Sequence, residues 1–416
     1  MVKFISTSLR GELVRISEPV RELISKTKYK IPEGTNVSVK TMVESLLPNE
    51  NVEKEIKTEI VDFSLCCAAL ASVLDEKNET LLSWVPKQLS VVGKHAFEDL
   101  SRVLEEEKES LVVELLPQVV KLFKERIKES SIDSKDEDNE ISAASARTPV
   151  GYAIVAAHQF RWFVTQVGFP ELGKLCSLVI PCALTTLDHW SPAVKGQGMI
   201  SFIHLAKNVN AAELGWYEDV ILDICCRNIA CDDMLWHHVV EMSVLVLTST
   251  QQKNPRSSWF EKIMNEMLSH LERQPRDKER YIIWLELIEP VFSAMGLVLL
   301  AHFRRIFPLL FQWMHKDDDK TILLVLQRIL TITKLTWIRN SPYIERLVDE
   351  LIITYKEAAM RRAREEIRKD VLQILILLHK CKGLQFEATW NKYKDDPNLS
   401  AIAPSLCSEK MAMVAE

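Results

Sequence analysis

The chain has 416 residues, 47% of them hydrophobic, and a formal net charge of −6. That length suits two ordinary domains or one long solenoid, and the acidic balance argues against a protein that binds nucleic acid as a whole, leaving only a local patch open. Only 11 residues are glycine, against an ordinary share of about 7%, which speaks against phosphate-cradling loops, dinucleotide-binding turns and β-rich folds, because all three lean on glycine.

From Met1 to about Pro48 the pattern predicts one or two helices around a loop at Lys30–Gly34. Met1–Arg10 has only short apolar stretches, so no secretory signal is expected. The best apolar runs, Ala294–Ala301 and Ile374–Leu378, are far shorter than the roughly 20 residues of a membrane span. Glu53–Leu74 reads as a helix, Leu81–Leu104 as a pair of helices with Pro86 near the start, and Leu111–Glu129 as the first helix of a hairpin containing Leu115-Leu116-Pro117. Ser130–Thr148 breaks the pattern, with charge and serine but no apolar period. It reads as a disordered loop inside a repeat, either a plain insertion or one carrying a regulatory phosphorylation site.

Regularity begins at Pro149, with a helix over Gly151–Val167. The clearest hairpin follows. Its first helix runs from about Leu172 to Leu187 and is interrupted by Pro181; the turn is Asp188-His189-Trp190-Ser191-Pro192; the second helix opens at Val194-Lys195. Proline inside the first helix bends it, Asp188 is expected to cap the second, and Val194 to pack between hairpins. Later pairs are Trp216–Ile229 with Met234–Thr248, Trp259–Leu271 with Glu279–Met295, Leu297–His315 with Thr321–Thr336, and Pro342–Met360 with Glu365–Lys382. Pro181, Ile224, Met267, Leu310 and Ile353 fall at matching places, a period of about 43 residues. The expectation is an all-α solenoid of HEAT/armadillo-like hairpins. It divides into divergent N-terminal repeats (1–129), the loop (130–148), regular repeats (149–390) and a loose tail (391–416).

No catalytic motif of weight accompanies this pattern. The chain has no Gly-rich Lys-Ser/Thr phosphate loop, His-Glu-x-x-His, Gly-x-Ser-x-Gly or Cys-x-x-Cys. Gly196-Gln197-Gly198 lacks a preceding strand. The nine cysteines form no spacing framework; Cys66, Cys67, Cys176, Cys182, Cys225, Cys226 and Cys231 read as reduced small residues of a cytosolic or nuclear protein. His237-His238 beside Cys231 and Asp232 hints at a metal, but adjacent histidines point to different helix faces and suit one ion poorly; no metal, cofactor or catalytic residue is assigned. The basic stretch Lys356–Lys369 interleaves Glu357, Glu365 and Glu366, which suits a salt-bridged surface better than a phosphate-binding one. Of the ten tryptophans, most are expected to pack between repeats and one or two to anchor a partner.

The run Phe160–Leu172, Phe-Arg-Trp-Phe-Val-Thr-Gln-Val-Gly-Phe-Pro-Glu-Leu, resembles a family of HEAT-like proteins. So do Ile180–Leu184 with Asp188 after it, then Gly198, His204, Asn208-Val209 and Ala211–Leu214. Together they are similar to the second Tel-two-interacting protein family, best over about residues 158–250. The resemblance implies a non-enzymatic subunit that joins two other large helical-repeat proteins in a Triple-T co-chaperone. That complex works with the ninety-kilodalton heat-shock chaperone to mature and stabilise phosphatidylinositol-3-kinase-related kinases, in cytoplasm and nucleus. The family's partner surface lies on C-terminal repeats, and no motif here marks individual interface residues. A transport or trafficking adaptor of karyopherin or coat type is the alternative.

Overall fold

The computed structural model describes residues 2–28, 38–49, 54–71, 82–131, 148–229, 233–339 and 342–399. Every element among them is helical, and contacts divide the chain into two compact units, Met1–Ile224 and Cys225–Glu416.

The first unit contains α1 (Val2–Lys26), α2 (Val39–Glu44), α3 (Ile56–Leu70), α4 (Lys87–Val103), α5 (Lys108–Glu129), α6 (Val150–Thr165), α7 (Glu171–Lys174), α8 (Cys176–Leu187), α9 (Pro192–Asn208) and α10 (Ala211–Gly215); α11 (Glu218–Ile229) carries the unit boundary. α5 shows why these segments are helical. Its Leu111, Leu115, Val119, Phe123 and Ile127 recur every four residues and are all buried, which is the apolar stripe of a helix laid on a core. α5 packs on α6 and α8, while α6 packs on α3 and α9, so the hairpins stack in two rows. The pair expected at Leu81–Leu104 is one helix, because Pro86 stands at the N-cap of α4 instead of dividing it. α4 lies so close to α3 that a Cβ at Gly93 would come within 2.8 Å of the Leu70 Cβ. The compact unit runs through residue 149, with Thr148 donating its N–H to the Glu129 carbonyl at 3.3 Å. Most of the loop assigned to 130–148 lies outside the described residues.

The second unit contains α12 (Trp236–Gln251), α13 (Ser258–Arg273), α14 (Lys278–Leu287), α15 (Glu289–Met295), α16 (Phe303–Met314), α17 (Asp319–Thr336), α18 (Ile344–Glu357) and α19 (Arg364–Trp390). α12, α14, α17 and α19 pack in succession as one row, and α13, α16 and α18 as the other. The helical run Glu289–Met314 is long and apolar enough by composition to cross a membrane, which the shorter run noted at Ala294–Ala301 did not suggest. Half of its apolar window is buried within the fold, and it breaks at Gly296 (φ 52°) into a 3-10 stretch, Gly296–His302.

The helix predicted to fade at Gly383 continues to Trp390 through a kink at Lys382. The tail predicted to be loose is held as far as Leu399: the Tyr393 hydroxyl donates to Asp349 at 2.9 Å, Lys356 pairs with Asp396, and Leu399 is buried. Residues 400–416 lie outside the description.

Candidate functional site

Pro181 sits in mid-α8, and Val194 is buried in the first turn of α9. Lys195 follows it, half-buried, near enough to His189 to oppose its protonation. Asp188 does not stand at the N-cap of α9. It closes α8, its backbone N–H reaching the Leu184 carbonyl at 3.1 Å. The start of α9 is set by Ser191 at the N-cap and Pro192 after it, because proline has no N–H to waste and a φ already helical.

What fastens the turn is His189 and Trp190. The Ser191 N–H donates to His189 Nδ1 at 3.0 Å, His189 Nε2 lies 3.0 Å from the Ser130 hydroxyl, and the Trp190 indole donates to the Ser130 carbonyl at 3.1 Å. Burial, with Lys195 adding, pushes the His189 pKa down to about 4, so the ring is neutral at physiological pH.

Aspartate capping occurs two and three hairpins later. Asp277 accepts from the Arg280 N–H at 3.3 Å at the head of α14, and Asp318 accepts from the Thr321 N–H at 3.0 Å at the head of α17. Lys278 lies 3.5 Å from Asp318. The Arg361 guanidinium donates to the carbonyls of Lys316 and Asp317, and the Ala363 N–H to Asp319. These contacts tie the head of each second helix to its successor. They also occupy much of the basic stretch: Lys356 pairs with Asp396, Arg364 with Glu365, and Arg368 lies over the Tyr355 ring.

The tryptophans range from buried to largely exposed. Trp236, Trp284 and Trp313 are buried. The Trp236 indole donates to the Arg280 carbonyl and that of Trp313 to the Pro275 carbonyl, each at 3.1 Å, the usual arrangement for a buried indole N–H, whereas the Trp284 N–H has no partner among the described residues. Trp216 is 87% exposed and Trp337 56% exposed. Trp337 also ends α17 in the left-handed region, at φ 52°, followed by buried Ile338 at φ 43°. A bulky residue there carries steric strain that glycine would avoid.

Buried polar groups were hidden inside apolar runs. His158 and Arg161 share one face of α6 and are buried. Both His158 ring nitrogens and Arg161 Nε and Nη2 lack hydrogen-bond partners among the described residues. Burial, then Arg161, holds His158 well below the usual histidine range. Gln159 and Gln197 donate to the carbonyls of Leu65 and Leu82, each at 2.8 Å. In the second unit, Arg280 donates to His270 Nε2, while His270 stacks on Trp236 with centroids 4.4 Å apart.

The cysteines among the described residues are free, and buried or half-buried. Burial pushes the Cys182 and Cys225 thiols up to about 12, so neither is a thiolate nucleophile at neutral pH. His237 and His238 have a third possible donor beside them, Glu241. Donor atoms of His237, His238 and Glu241 all lie within 4.8 Å of one another. Adjacent residues do point about 100° apart, but Glu241 stands four residues after one and three after the other, which places its carboxylate between them. Cys231 and Asp232 lie outside the described residues.

The fold and these contacts define a class: an α-solenoid protein of HEAT-like helical hairpins, with some aromatic surface left exposed. No protein-family model matches the chain. An Arabidopsis thaliana protein described as Uncharacterized protein At2g39910 is 54% identical over 418 residues, covering 96% of each chain. The chain belongs to the family of that protein. Among solved structures, importin beta is 11% identical at a TM-score of 0.49, over 96% of this chain and 51% of its own. The karyopherin Kap121p, bound to the SUMO protease Ulp1p, is 12% identical at 0.42, over 94% and 43%. An engineered protein is 10% identical at 0.46, over 96% and 98%. The chain thus spans about half the length of the karyopherins it matches.

Proposed function

We propose that this protein is a non-enzymatic scaffold that holds other proteins, and that it serves as a subunit of a Triple-T-type co-chaperone. In this reading it joins two other large helical-repeat subunits and works with the ninety-kilodalton heat-shock chaperone. Its clients are phosphatidylinositol-3-kinase-related kinases, which it helps to mature and stabilise in cytoplasm and nucleus. The co-chaperone part is supported by the residue pattern from Phe160 to Leu214.

The observation that carries the scaffold reading is Trp337. A tryptophan more than half exposed on left-handed backbone gives its own fold little burial and a costly turn. Strain of this kind points to selection for something outside it, and tryptophan is the residue most enriched where partners bind. Trp216, still more exposed but on ordinary helical backbone, is a second anchor on exposure alone.

The test is affinity purification of the tagged full-length chain from its own cells, with quantitation of what co-purifies. Two large helical-repeat proteins near equal stoichiometry, with chaperone and giant kinases at lower yield, are the expected result. Nuclear-transport or vesicle-coat components in their place would overturn the co-chaperone reading. Trp337→Ala and Trp216→Ala should each lower recovery of partners from a folded bait; unchanged recovery from both would sink the anchor assignment.

A further inference from the structure

We propose that His237, His238 and Glu241, at the head of α12, form a binding site for one divalent transition-metal ion of the zinc class. The site goes beyond the scaffold reading and does not depend on it.

The geometry is that of a helical chelate. His237 and Glu241 are one turn apart, with Nδ1 and Oε2 at 3.8 Å. His238 stands three residues before Glu241, and the two imidazoles meet edge to face, with centroids 5.6 Å apart at 85°. All three donor atoms lie within 4.8 Å of one another. A tetrahedral ion with bonds of about 2.1 Å needs its donors about 3.4 Å apart, so side-chain rotations that move donors by about 1 Å close the set. The donors are two nitrogens and one carboxylate oxygen, the mixture zinc accepts in sites with three protein ligands and an open fourth position. His237, with 42% of its side chain exposed, leaves that fourth position on the solvent side.

The site is held from behind. Trp236, the residue before the pair, is buried, stacked on His270 and hydrogen-bonded to the Arg280 carbonyl. This fixes the first turn of α12, so the donors converge from a rigid element and little ordering is needed when an ion binds. The ion class follows from the ligands: imidazole suits zinc, cobalt, nickel and copper, whereas magnesium and calcium call for all-oxygen sites.

The experiment uses the full-length reduced chain, titrated with zinc by calorimetry and with cobalt by visible absorption. The variants are His237→Ala and Glu241→Gln, both at positions with partial exposure, and each is checked for folding by circular dichroism. The expected result is one zinc per chain in the wild type, affinity at least tenfold weaker in each variant, and a cobalt spectrum of tetrahedral nitrogen–oxygen ligation. Binding that is absent in the wild type, unchanged in the folded variants, or marked by thiolate-to-cobalt charge transfer from the cysteines would overturn the assignment.

Discussion

Arg161 offers a test in which removing a charged residue should strengthen the protein. α6 buries it to 4% exposure, and neither Nε nor Nη2 has a hydrogen-bond partner among the described residues. Burial lowers its pKa to about 10. At about 1.4 kcal/mol per unit, the charged form is disfavoured in the folded state by roughly 3 kcal/mol. Because the folded pKa lies below the unfolded one, the unfolded chain binds more protons between those two values. Stability therefore rises with pH only above about 10, and at pH 7 the whole penalty is present. Methionine keeps the unbranched reach and adapts to irregular space. Arg161→Met is expected to stabilise the first unit by about 1–3 kcal/mol at pH 7, within the range seen when buried charges give way to apolar groups. Urea unfolding of the full chain, with hydrogen exchange of the α6 amides as the local probe, measures this. A loss of more than about 1 kcal/mol would show that Arg161 is paired in the folded protein and refute the reasoning.

Three further changes probe the second unit. Asp277→Ala removes both the cap of α14 and the carboxylate 3.2 Å from the Nε of buried Arg280; a loss of about 2–3 kcal/mol in urea unfolding is expected, and less for Asp277→Asn, which keeps the acceptor. Equal losses for the two would mean that the charge beside Arg280, and not the capping acceptor, carries the whole effect. Burial raises the Asp318 pKa, but hydrogen bonds from Thr321 and the charge of Lys278 outweigh it, so the net shift is downward. Its stabilisation is thus present above the unfolded value of about 3.9 and is lost as the pH falls through the folded one; the stability gap between wild type and Asp318→Asn should close on acidification, and a gap constant with pH would contradict this. Trp337→Gly relieves left-handed strain at an exposed site and should raise stability by about 1 kcal/mol in thermal unfolding, whereas destabilisation would show that the indole packs on its own fold.

Hairpin architecture was readable because it depends on apolar spacing, which survives any sequence. Pro181, Ile224, Met267, Leu310 and Ile353 all lie within helices, and the pairs beginning at Trp259, Leu297 and Pro342 fall on helices with shifted ends. Local backbone choices were harder to read. Pro86 and Pro192 mark helix starts, whereas Pro181 and Pro308 lie inside helices. Proline allows both, and only the neighbouring turns decide. The break at Gly296 was missed because the apolar run continues through it.

The capping aspartate shows how a correct rule can be attached to the wrong residue. The rule holds at Asp277 and Asp318, where no proline competes for the first turn, and is displaced at Asp188 by Ser191-Pro192. The grouping of His237, His238 and Glu241 was hard to read for a related reason: weighing His237 against His238 alone considers a pair about 100° apart, and Glu241 at i+4 and i+3 stands as a third donor beside them. Arg161 and His158 were masked by an apolar run in which the charged residue reads as an exposed exception. Burial is a property of what packs opposite, and here α3, α5 and α9 close over α6. The residues that hold repeats together are therefore legible from periodicity, whereas those proposed for binding are the departures from it: an exposed tryptophan on strained backbone, and three donors on one turn of helix. Each has to be located in three dimensions before its chemistry can be named.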